Sequence, residues 1–326
     1  MTDQKITVAV IGLGFLGRGI ATCVLGHGMH VIGYGRSANS LALAREHIAH
    51  GIDELVELGG FDIALRDEWQ HRYHETNDLA DCDNCDFVIE SVAEDLQIKH
   101  SVYAELERAV SPKTPIASNT SSIPVTLLQQ GLSHPERLLG MHWAEPAHAT
   151  RFLEIVRGEK TDQQTVDRTL ELARKCGKEP CVLSQDIPGF IVNRLGYAVY
   201  REAAYLVEQG IADVETIDRS FRNACGLWAT MCGPFRWIDL TGGPALYAKA
   251  MERVLPTLSN ATEIPSLFDD LAKRDARGIT NGEGFYRWSS EDIKQAEALF
   301  RKHAWKVHHL MNEYFSSPED GRDAPD

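Results

Sequence analysis

The stretch Ile6-Thr7-Val8-Ala9-Val10-Ile11 runs directly into Gly12-Leu13-Gly14-Phe15-Leu16-Gly17, and this junction decides the fold. The first run is β-rich, a helical pattern follows to about Gly28, and a second strand pattern covers His30–Tyr34. Strand, glycine turn, helix and strand form the βαβ context in which G-x-G-x-x-G binds a dinucleotide. The glycines permit the tight turn, close approach of the pyrophosphate, and packing of helix on strand. The residues predicted to hold the pyrophosphate are Gly12, Gly14, Phe15, Leu16 and Gly17.

Strand and helix patterns continue to alternate through the first half of the chain. This alternation predicts an α/β fold, a Rossmann doubly wound parallel sheet. The predicted elements after the second strand are a helix at 39–58, a polar, helical excursion at 59–80, a strand at 86–90, a helix at 95–110, and short strands at 116–118 and 138–141.

The pattern changes near Asp186-Ile187-Pro188-Gly189, beyond which the long apolar patterns have helical spacing. We therefore predict a Rossmann NAD(P)-binding domain over residues 1–185 and an all-α substrate and dimerisation domain over residues 186–315. The polar tail at 316–326 is expected to be disordered. The predicted helices of the second domain lie at 190–209, 214–224, 244–255 and 290–315.

Bulk properties restrict the class of partner. A formal net charge of -14 over 326 residues argues against nucleic acid and anionic membranes. The apolar runs are too short to span a bilayer, and the N-terminus leads almost directly into a strand pattern, which leaves no room for a signal peptide. We expect a cytoplasmic protein that acts on a small-molecule substrate.

The cysteines predict neither a disulfide framework nor a metal site. Their number, seven, is odd, and they are scattered along the chain, as expected for reduced thiols. Cys82 and Cys85 have metal-ligand spacing, but the sequence has no second pair with that spacing. We therefore expect a plain loop at this position and no metal.

The end of the second strand bears on the choice of cofactor. NAD enzymes usually present Asp or Glu there to the ribose hydroxyls, whereas this chain has Tyr34-Gly35-Arg36-Ser37. Gly35 leaves space, and Arg36 with Ser37 would hold a 2′-phosphate through charge-assisted hydrogen bonds. This favours NADP over NAD. Stacking of Arg36 on adenine, or its exposure to solvent, would leave NAD as the cofactor.

Two segments carry residues suited to alcohol oxidation: Ser118–Ile123 and Gly140–Pro146. Oxidation of an alcohol needs a base for the hydroxyl proton, and histidine suits this task near neutral pH. A carboxylate behind the imidazole fixes its tautomer and stabilises the imidazolium. His142 and Glu154 would form such a pair if a turn brings the following strand, Phe152–Val156, alongside.

Through these residues the chain resembles the 3-hydroxyacyl-CoA dehydrogenase family. The resemblance covers both domains and includes five motifs in order. They are Ser118–Ser122, His142 followed by Pro146, Glu154 at the family spacing, Pro-Gly-Phe-Ile-Val-Asn-Arg at Pro188–Arg194, and Gly-x-Gly-Phe-Tyr at Gly282–Tyr286.

The resemblance implies roles for individual residues. His142 would be the general base in oxidation and the general acid in reduction, oriented by Glu154. Ser121 and Asn193 would bond to the substrate oxygen or to the histidine and help to place the nicotinamide. The resemblance also implies a homodimer formed through the C-terminal domain. Further family positions at the cofactor are matched by Glu94, Lys99 and Asn119, although Glu94 and Lys99 also fit a solvated helix start.

Two departures from the family pattern affect the substrate. Glu145 stands where the family usually has asparagine, and this extra carboxylate would either raise the pKa of His142, if it lies close, or replace a substrate-binding amide with a repulsive group. Residues 38–80 contain no lysine, and their arginines are outnumbered by acidic residues, which makes a poor surface for coenzyme A phosphates. The arginines of this segment are Arg45, Arg66 and Arg72.

The leading hypothesis is an oxidoreductase that interconverts a 3-hydroxy and a 3-oxo acyl substrate with NAD(P). One alternative is a dehydrogenase of a free 3-hydroxy acid, because Gly226–Phe235 resembles gulonate and carnitine dehydrogenases. Arg151 is a candidate partner for a free carboxylate, or equally a surface arginine on a strand edge. The other alternative is a non-catalytic, crystallin-like dinucleotide-binding protein.

Overall fold

The computed structural model describes residues 5–315, so the tail predicted to be disordered, 316–326, lies outside the described residues. The chain divides into two compact units, Met1–Ile191 and Val192–Asp326. The division follows closely on Asp186–Gly189, where the sequence pattern changes. In the described residues, no helix combines the length and apolar character needed to cross a membrane.

The first unit is built on one eight-stranded sheet in the order β3-β2-β1-β4-β5-β6-β7-β8. The predicted Rossmann doubly wound sheet is confirmed. The strands are β1 Thr7–Ile11, β2 His30–Tyr34, β3 Tyr73–Thr76, β4 Phe87–Glu90, β5 Ile116–Ser118, β6 Leu138–Trp143, β7 Phe152–Val156 and β8 Glu179–Leu183. The helices are α1 Phe15–Gly26, α2 Ala38–Glu57, α3 Leu65–Arg72, α4 Leu96–Ala109, α5 Val125–Leu128 and α6 Gln163–Lys175.

The centre of the sheet positions the cofactor site. β1 pairs in parallel with β2 on one side and with β4 on the other. The strand order therefore reverses between β1 and β4, and ligands of open α/β sheets bind at such a switch point, beyond the carboxyl ends of the strands. Four of the five β1 residues and all four β4 residues are buried, which explains why both segments have continuous apolar runs.

The excursion predicted at 59–80 is only partly helical. α3 is followed by β3, which pairs with β2 at the sheet edge. The sequence Tyr-His-Glu-Thr hides this strand because an edge strand carries polar side chains and has only four residues. The edge strand β8 and the helix α6 were also not predicted.

One pair of strands breaks the parallel arrangement. β7 runs antiparallel to β6, with His142 directly opposite Glu154, and β8 then pairs in parallel with β7. The predicted parallel arrangement therefore holds for every pair of neighbouring strands except β6 and β7. The turn that brings Phe152–Val156 alongside β6 is present.

The second unit is helical, as predicted. Among the described residues its β structure is confined to isolated bridges that join Glu283 to Gly278 and to Arg287. The helices are α7 Val192–Glu208, α8 Val214–Ala229, α9 Pro234–Leu240, α10 Gly243–Val254, α11 Ser266–Lys273 and α12 Ser290–Tyr314, of which α9 and α11 were not predicted.

Candidate active site

The glycine turn after β1 has three different local environments. Gly12 has φ 98°, and a Cβ there would lie 2.6 Å from the carbonyl oxygen of Ser91. A Cβ on Gly17 would lie 1.9 Å from the carbonyl oxygen of Gly12, so this glycine permits α1 to pack on the turn. A Cβ on Gly14 would meet nothing within 4 Å, which leaves the backbone open to a ligand.

The start of α1 suits an anion. Gly14 is the N-cap residue and provides no side-chain cap, and the first turn carries no acidic residue. The backbone amides at the start of the helix, including those of Phe15 and Leu16, therefore remain available, and the helix dipole favours negative charge there. Together with the space above Gly14, this arrangement fits a pyrophosphate.

The residues after β2, which the sequence assigned to a 2′-phosphate on the cofactor ribose, have other contacts in the structure. A Cβ on Gly35 would lie 2.8 Å from Leu41 Cδ2, so this glycine allows α2 to pack closely against the end of β2. Ser37 caps α2 through reciprocal bonds with Ser40, which engages the hydroxyl assigned to a 2′-phosphate. Arg36 is exposed.

A buried carboxylate lies at the end of β4. Glu90 is fully buried, and its Oε1 accepts bonds from Lys99 Nζ at 2.8 Å and from the amide of Val92 at 2.7 Å. Its Oε2 accepts from Tyr103 Oη at 2.6 Å and from Ser118 Oγ at 2.7 Å. Sequence reasoning missed Glu90, although a glutamate that ends an apolar strand is a usable signal of a buried acid.

Lys99 is fully buried, and its ammonium bonds to both carboxylate oxygens of Glu90 and lies 3.4 Å from Glu94 Oε2. Of the two alternatives given for Lys99, the solvated helix start does not fit this buried environment. It places Lys99 among carboxylates of the protein, so any contribution to the cofactor site passes through Glu94.

Glu94 holds the segment Ser118–Ser122 in place. Its Oε1 accepts bonds from Thr120 Oγ1 at 2.7 Å and from the amides of Ser121 and Ser122 at 2.9 and 3.0 Å. Burial raises the pKa of Glu94, but the bond from Thr120 and the charge of Lys99 outweigh it and lower the pKa. The carboxylate is therefore held in its charged form and fixes the loop that carries Ser121.

Asn119 joins the ends of two strands. Its Nδ2 donates to Ser91 Oγ at 3.1 Å, and its Oδ1 accepts from the amide of Trp143 at 3.0 Å. These bonds hold the carboxyl ends of β4 and β6 together, on the side of the sheet where the glycine turn follows β1. Asn119 therefore lies within the region predicted for the cofactor.

His142 and Glu154 form a buried pair. His142 Nδ1 lies 2.8 Å from Glu154 Oε2, and the two residues are 7% and 1% exposed. Glu154 Oε1 accepts a further bond from the amide of Ile191 at 3.0 Å. An ionised carboxylate only accepts hydrogen bonds, so Nδ1 carries a proton and Nε2 of a neutral ring is left as the basic atom.

Aromatic rings enclose the imidazole. The rings of Phe152 and Phe190 both have centroids 5.7 Å from that of His142. Phe190 has φ 49°, an unusual conformation for a bulky residue, and follows Gly189 at φ 78°. Such backbone outliers cluster at functional sites, and this one lies in the Pro188–Arg194 signature.

Three further positions were singled out by the sequence: Asn193, Arg151 and Glu145. Asn193 is in the first turn of α7, in the second unit, and its role stays a prediction. Arg151 has only 9% of its side chain exposed and pairs with Glu179 at 3.1 Å, which does not favour a role in binding a substrate carboxylate. Burial raises the pKa of Glu145, while the charges of His148 and Arg18 oppose the rise.

Cys82 and Cys85 are buried thiols. Burial raises the pKa of each to about 12, so the thiolate that a metal requires is strongly disfavoured. Within residues 5–315, no group of three or more His, Cys, Asp or Glu side chains has an arrangement that could hold a metal ion.

Comparison with protein-family models matches both units. Residues 7–187 match the NAD binding domain of 3-hydroxyacyl-CoA dehydrogenase, and residues 189–288 match its C-terminal domain. The chain belongs to the 3-hydroxyacyl-CoA dehydrogenase family. Its N-terminal match supports NAD, and the preference for NADP expected from Gly35-Arg36-Ser37 is not supported.

Similar family members act on varied substrates. The chain is 34% identical to 5-formyl-3-hydroxy-2-methylpyridine 4-carboxylate 5-dehydrogenase of Mesorhizobium japonicum, over 89% of this chain and 93% of that one. It is 34% identical to L-carnitine dehydrogenase of Oceanobacillus iheyensis, over 83% and 88%. It is also 32% identical to 3-hydroxyadipyl-CoA dehydrogenase of Escherichia coli, over 87% of this chain but 59% of that protein.

Solved structures agree with this assignment. A 5-formyl-3-hydroxy-2-methylpyridine 4-carboxylic acid 5-dehydrogenase, described as an NAD+ dependent dismutase, superposes with a TM-score of 0.88 at 31% identity, over 95% of this chain and 99% of that one. The 3-hydroxybutyryl-CoA dehydrogenase of Escherichia coli gives 0.73 at 30% identity, over 87% and 60%. The fold is therefore shared by family members that act on thioesters and by members that act on free acids.

Proposed function

We propose that this protein is an NAD-dependent dehydrogenase that interconverts a 3-hydroxy and a 3-oxo acyl substrate, with His142 as the general base and acid. The observation that carries the proposal is the buried pair of His142 and Glu154. His142 lies near the carboxyl end of β6, on the side of the sheet where the glycine turn follows β1. The residues that would hold NAD are Gly12, Gly14 and Gly17, with the amides at the start of α1. Bound NAD would supply the hydride acceptor.

The side chains of this chain would handle the proton. In oxidation, Nε2 of His142 takes the proton of the substrate hydroxyl, and in reduction it returns a proton to the carbonyl oxygen. Glu154 holds Nδ1–H and stabilises the imidazolium that forms. The rings of Phe152 and Phe190 limit the access of water to the imidazole, which strengthens this electrostatic effect.

We also propose roles for the surrounding polar residues. Ser121, on the loop fixed by Glu94, and Asn193 would bond to the substrate oxygen or to the imidazole. Asn119 and Glu94 would line the cofactor site. Lys99 would act on that site through Glu94.

NAD is the preferred cofactor in this proposal. It is supported by the NAD binding domain model and by the engagement of Ser37 in the cap of α2. The test compares kcat/KM for NADH and NADPH with the same 3-oxo substrate. A preference for NADPH would overturn the assignment.

A free 3-hydroxy acid is a second candidate substrate, and the ion pairs of residues 38–80 favour it. Each arginine of this segment is already paired with a carboxylate, which reduces the positive charge available to the phosphates of coenzyme A. The pairs are Arg45 with Glu75, Arg66 with Asp53 at 2.7 Å and Glu57 at 2.8 Å, and Arg72 with Glu68 at 3.0 Å.

We further propose a homodimer formed through the second unit. Among the described hydrophobic residues of that unit, only Ala204, Cys232 and Trp305 are buried. Phe235 and Leu227 are 83% and 76% exposed, and extensive exposed apolar surface is typical of an interaction site. Analytical ultracentrifugation tests this proposal, and a monomer at micromolar concentration would contradict it.

The decisive experiment measures oxidation of NADH with acetoacetyl-CoA and with a panel of free 3-oxo acids. We expect turnover on at least one substrate, with loss of turnover in His142→Ala while NADH still binds. Activity of His142→Ala at the wild-type level would refute the mechanism. Binding of NADH without turnover on any substrate would favour the non-catalytic alternative.

A further inference from the structure

Lys178, just before β8, is a buried cation that the proposed mechanism does not use. It is 4% exposed. Its ammonium donates hydrogen bonds to the carbonyl oxygens of Ala147 and Thr150. It also lies 5.0 Å from the ring centroid of Trp143.

The environment of this ammonium is unusual for a buried charge. Among the described residues, the contacts of Lys178 Nζ are two carbonyl oxygens and the ring of Trp143, and none of these is a carboxylate. Removal of an ammonium from water is costly unless other groups replace the lost hydration. Here the replacing groups are carbonyl dipoles and an aromatic face, and they all come from residues 143–150. The charge also acts on the buried thiol of Cys23, but the hydrogen bonds of the ammonium all go to this one stretch of backbone.

Residues 144–150 connect the two parts of the candidate active site. The segment begins two residues after His142, at the end of β6. It also approaches the cofactor helix, because a Cβ built on Gly19 of α1 would lie 3.2 Å from Ala147 Cβ. A shift of this segment would change the placement of β6 relative to α1, and hence of the imidazole relative to the dinucleotide site.

We propose that Lys178 is a positioning residue for the proposed dehydrogenase reaction. It fixes residues 144–150 through two backbone carbonyls and so fixes the position of the end of β6 relative to α1. The expected effect on the reaction rate rests on the proposed function. The fixing of residues 144–150 by Lys178 rests on the structure alone. Displacement of a reacting group by about 1 Å costs on the order of 10²-fold in rate.

The test compares the wild-type protein with Lys178→Met, which removes the donor and the charge at similar volume. Lys178→Gln keeps amide donors for the two carbonyls, and Lys175→Met is a matched control at an exposed lysine. Hydrogen–deuterium exchange of the full-length protein measures the fixing of residues 144–150. Steady-state kinetics with NADH and the best 3-oxo substrate, and fluorescence titration with NADH, measure its consequence.

We expect faster hydrogen–deuterium exchange at residues 144–150 in Lys178→Met, with the exchange of the sheet residues unchanged. We also expect kcat to fall by about 10²-fold, by more than NADH affinity falls, with partial recovery in Lys178→Gln. Unchanged exchange and kcat would overturn the inference. So would a uniform rise in exchange with kcat per folded molecule unchanged, because that result describes general stabilisation.

Two further outcomes remain decisive. If Lys178→Met does not fold, Lys178→Ala, which also lacks the donor and leaves room for water at the two carbonyls, carries the same comparison, and exchange no faster than wild type together with wild-type kcat would overturn the inference. If the wild-type protein turns over no substrate, the proposed function fails. The exchange experiment still decides in that case whether Lys178 fixes residues 144–150, so the two failures are distinguishable.

Discussion

Replacement of Lys99 by methionine should destabilise the first unit strongly. The substitution leaves the carboxylate of Glu90 fully buried without its counter-ion. The bonds from Val92, Tyr103 and Ser118 would remain, but they are dipoles and do not neutralise the charge. Removal of one partner from a buried ion pair typically costs about 3–5 kcal/mol.

The expected loss is large relative to the stability of a domain. For a unit of this size, 1 kcal/mol corresponds to about 2–4 °C in Tm, so Lys99→Met should lower Tm by ~6–20 °C. The double variant Lys99→Met with Glu90→Gln removes both charges and should be more stable than Lys99→Met alone. A coupling free energy of about 1–3 kcal/mol between the two sites is expected.

Urea unfolding followed by circular dichroism gives the four free energies of the double-mutant cycle. Lys113→Met, at an exposed lysine of the same unit, is the control and should lie within about 0.5 kcal/mol of wild type. If Lys99→Met costs less than about 1 kcal/mol, the buried ion pair does not have the role assigned to it. The same conclusion follows if Glu90→Gln gives no recovery in the double variant.

Three further outcomes are expected. Gly17→Ala should lower the free energy of unfolding by about 1–3 kcal/mol, because the new Cβ would meet the carbonyl oxygen of Gly12. Gly14→Ala should instead keep the wild-type Tm and lose affinity for NADH, because a Cβ there meets no protein atom. Loss of stability in Gly14→Ala and loss of NADH affinity alone in Gly17→Ala would contradict the assignment. Glu154→Gln should lower kcat by about 10²–10⁴-fold with Tm little changed, and full activity would exclude its orienting role. The pKa of Glu94 is lowered in the folded protein, so its contribution to stability is fully present above its ordinary pKa of 4.5 and is lost as pH falls through the folded value. The free energy of unfolding of wild type should therefore approach that of Glu94→Gln as pH falls through this window. A difference that does not depend on pH would refute the shift.

The sequence predicted the parts of the fold and site that depend on local pattern. The glycine turn could be identified because strand, turn and helix are adjacent in the chain. The pair of His142 and Glu154 was inferred from the family resemblance together with an assumed turn, which the pairing of β6 with β7 supplies. These features need few long-range contacts to be inferred.

Features that depend on the tertiary environment were missed. The buried state of Glu90 depends on α4 and β5, which supply Lys99, Tyr103 and Ser118. Gly35 was assigned to phosphate space because the sequence does not show that Leu41 packs against it. β3 was missed because its side chains are polar and its pairing partner, β2, lies far back in the chain.

The antiparallel pairing of β6 and β7 makes the pair of His142 and Glu154, the proposed acid–base pair, a self-contained module. The distance between imidazole and carboxylate is set by ladder hydrogen bonds between two adjacent strands, over a contour of twelve residues. Motion elsewhere in the molecule can alter access to the imidazole without altering this distance. If the pair acts as proposed, substrate range can therefore diverge in evolution while the geometry of the His142–Glu154 pair is inherited unchanged.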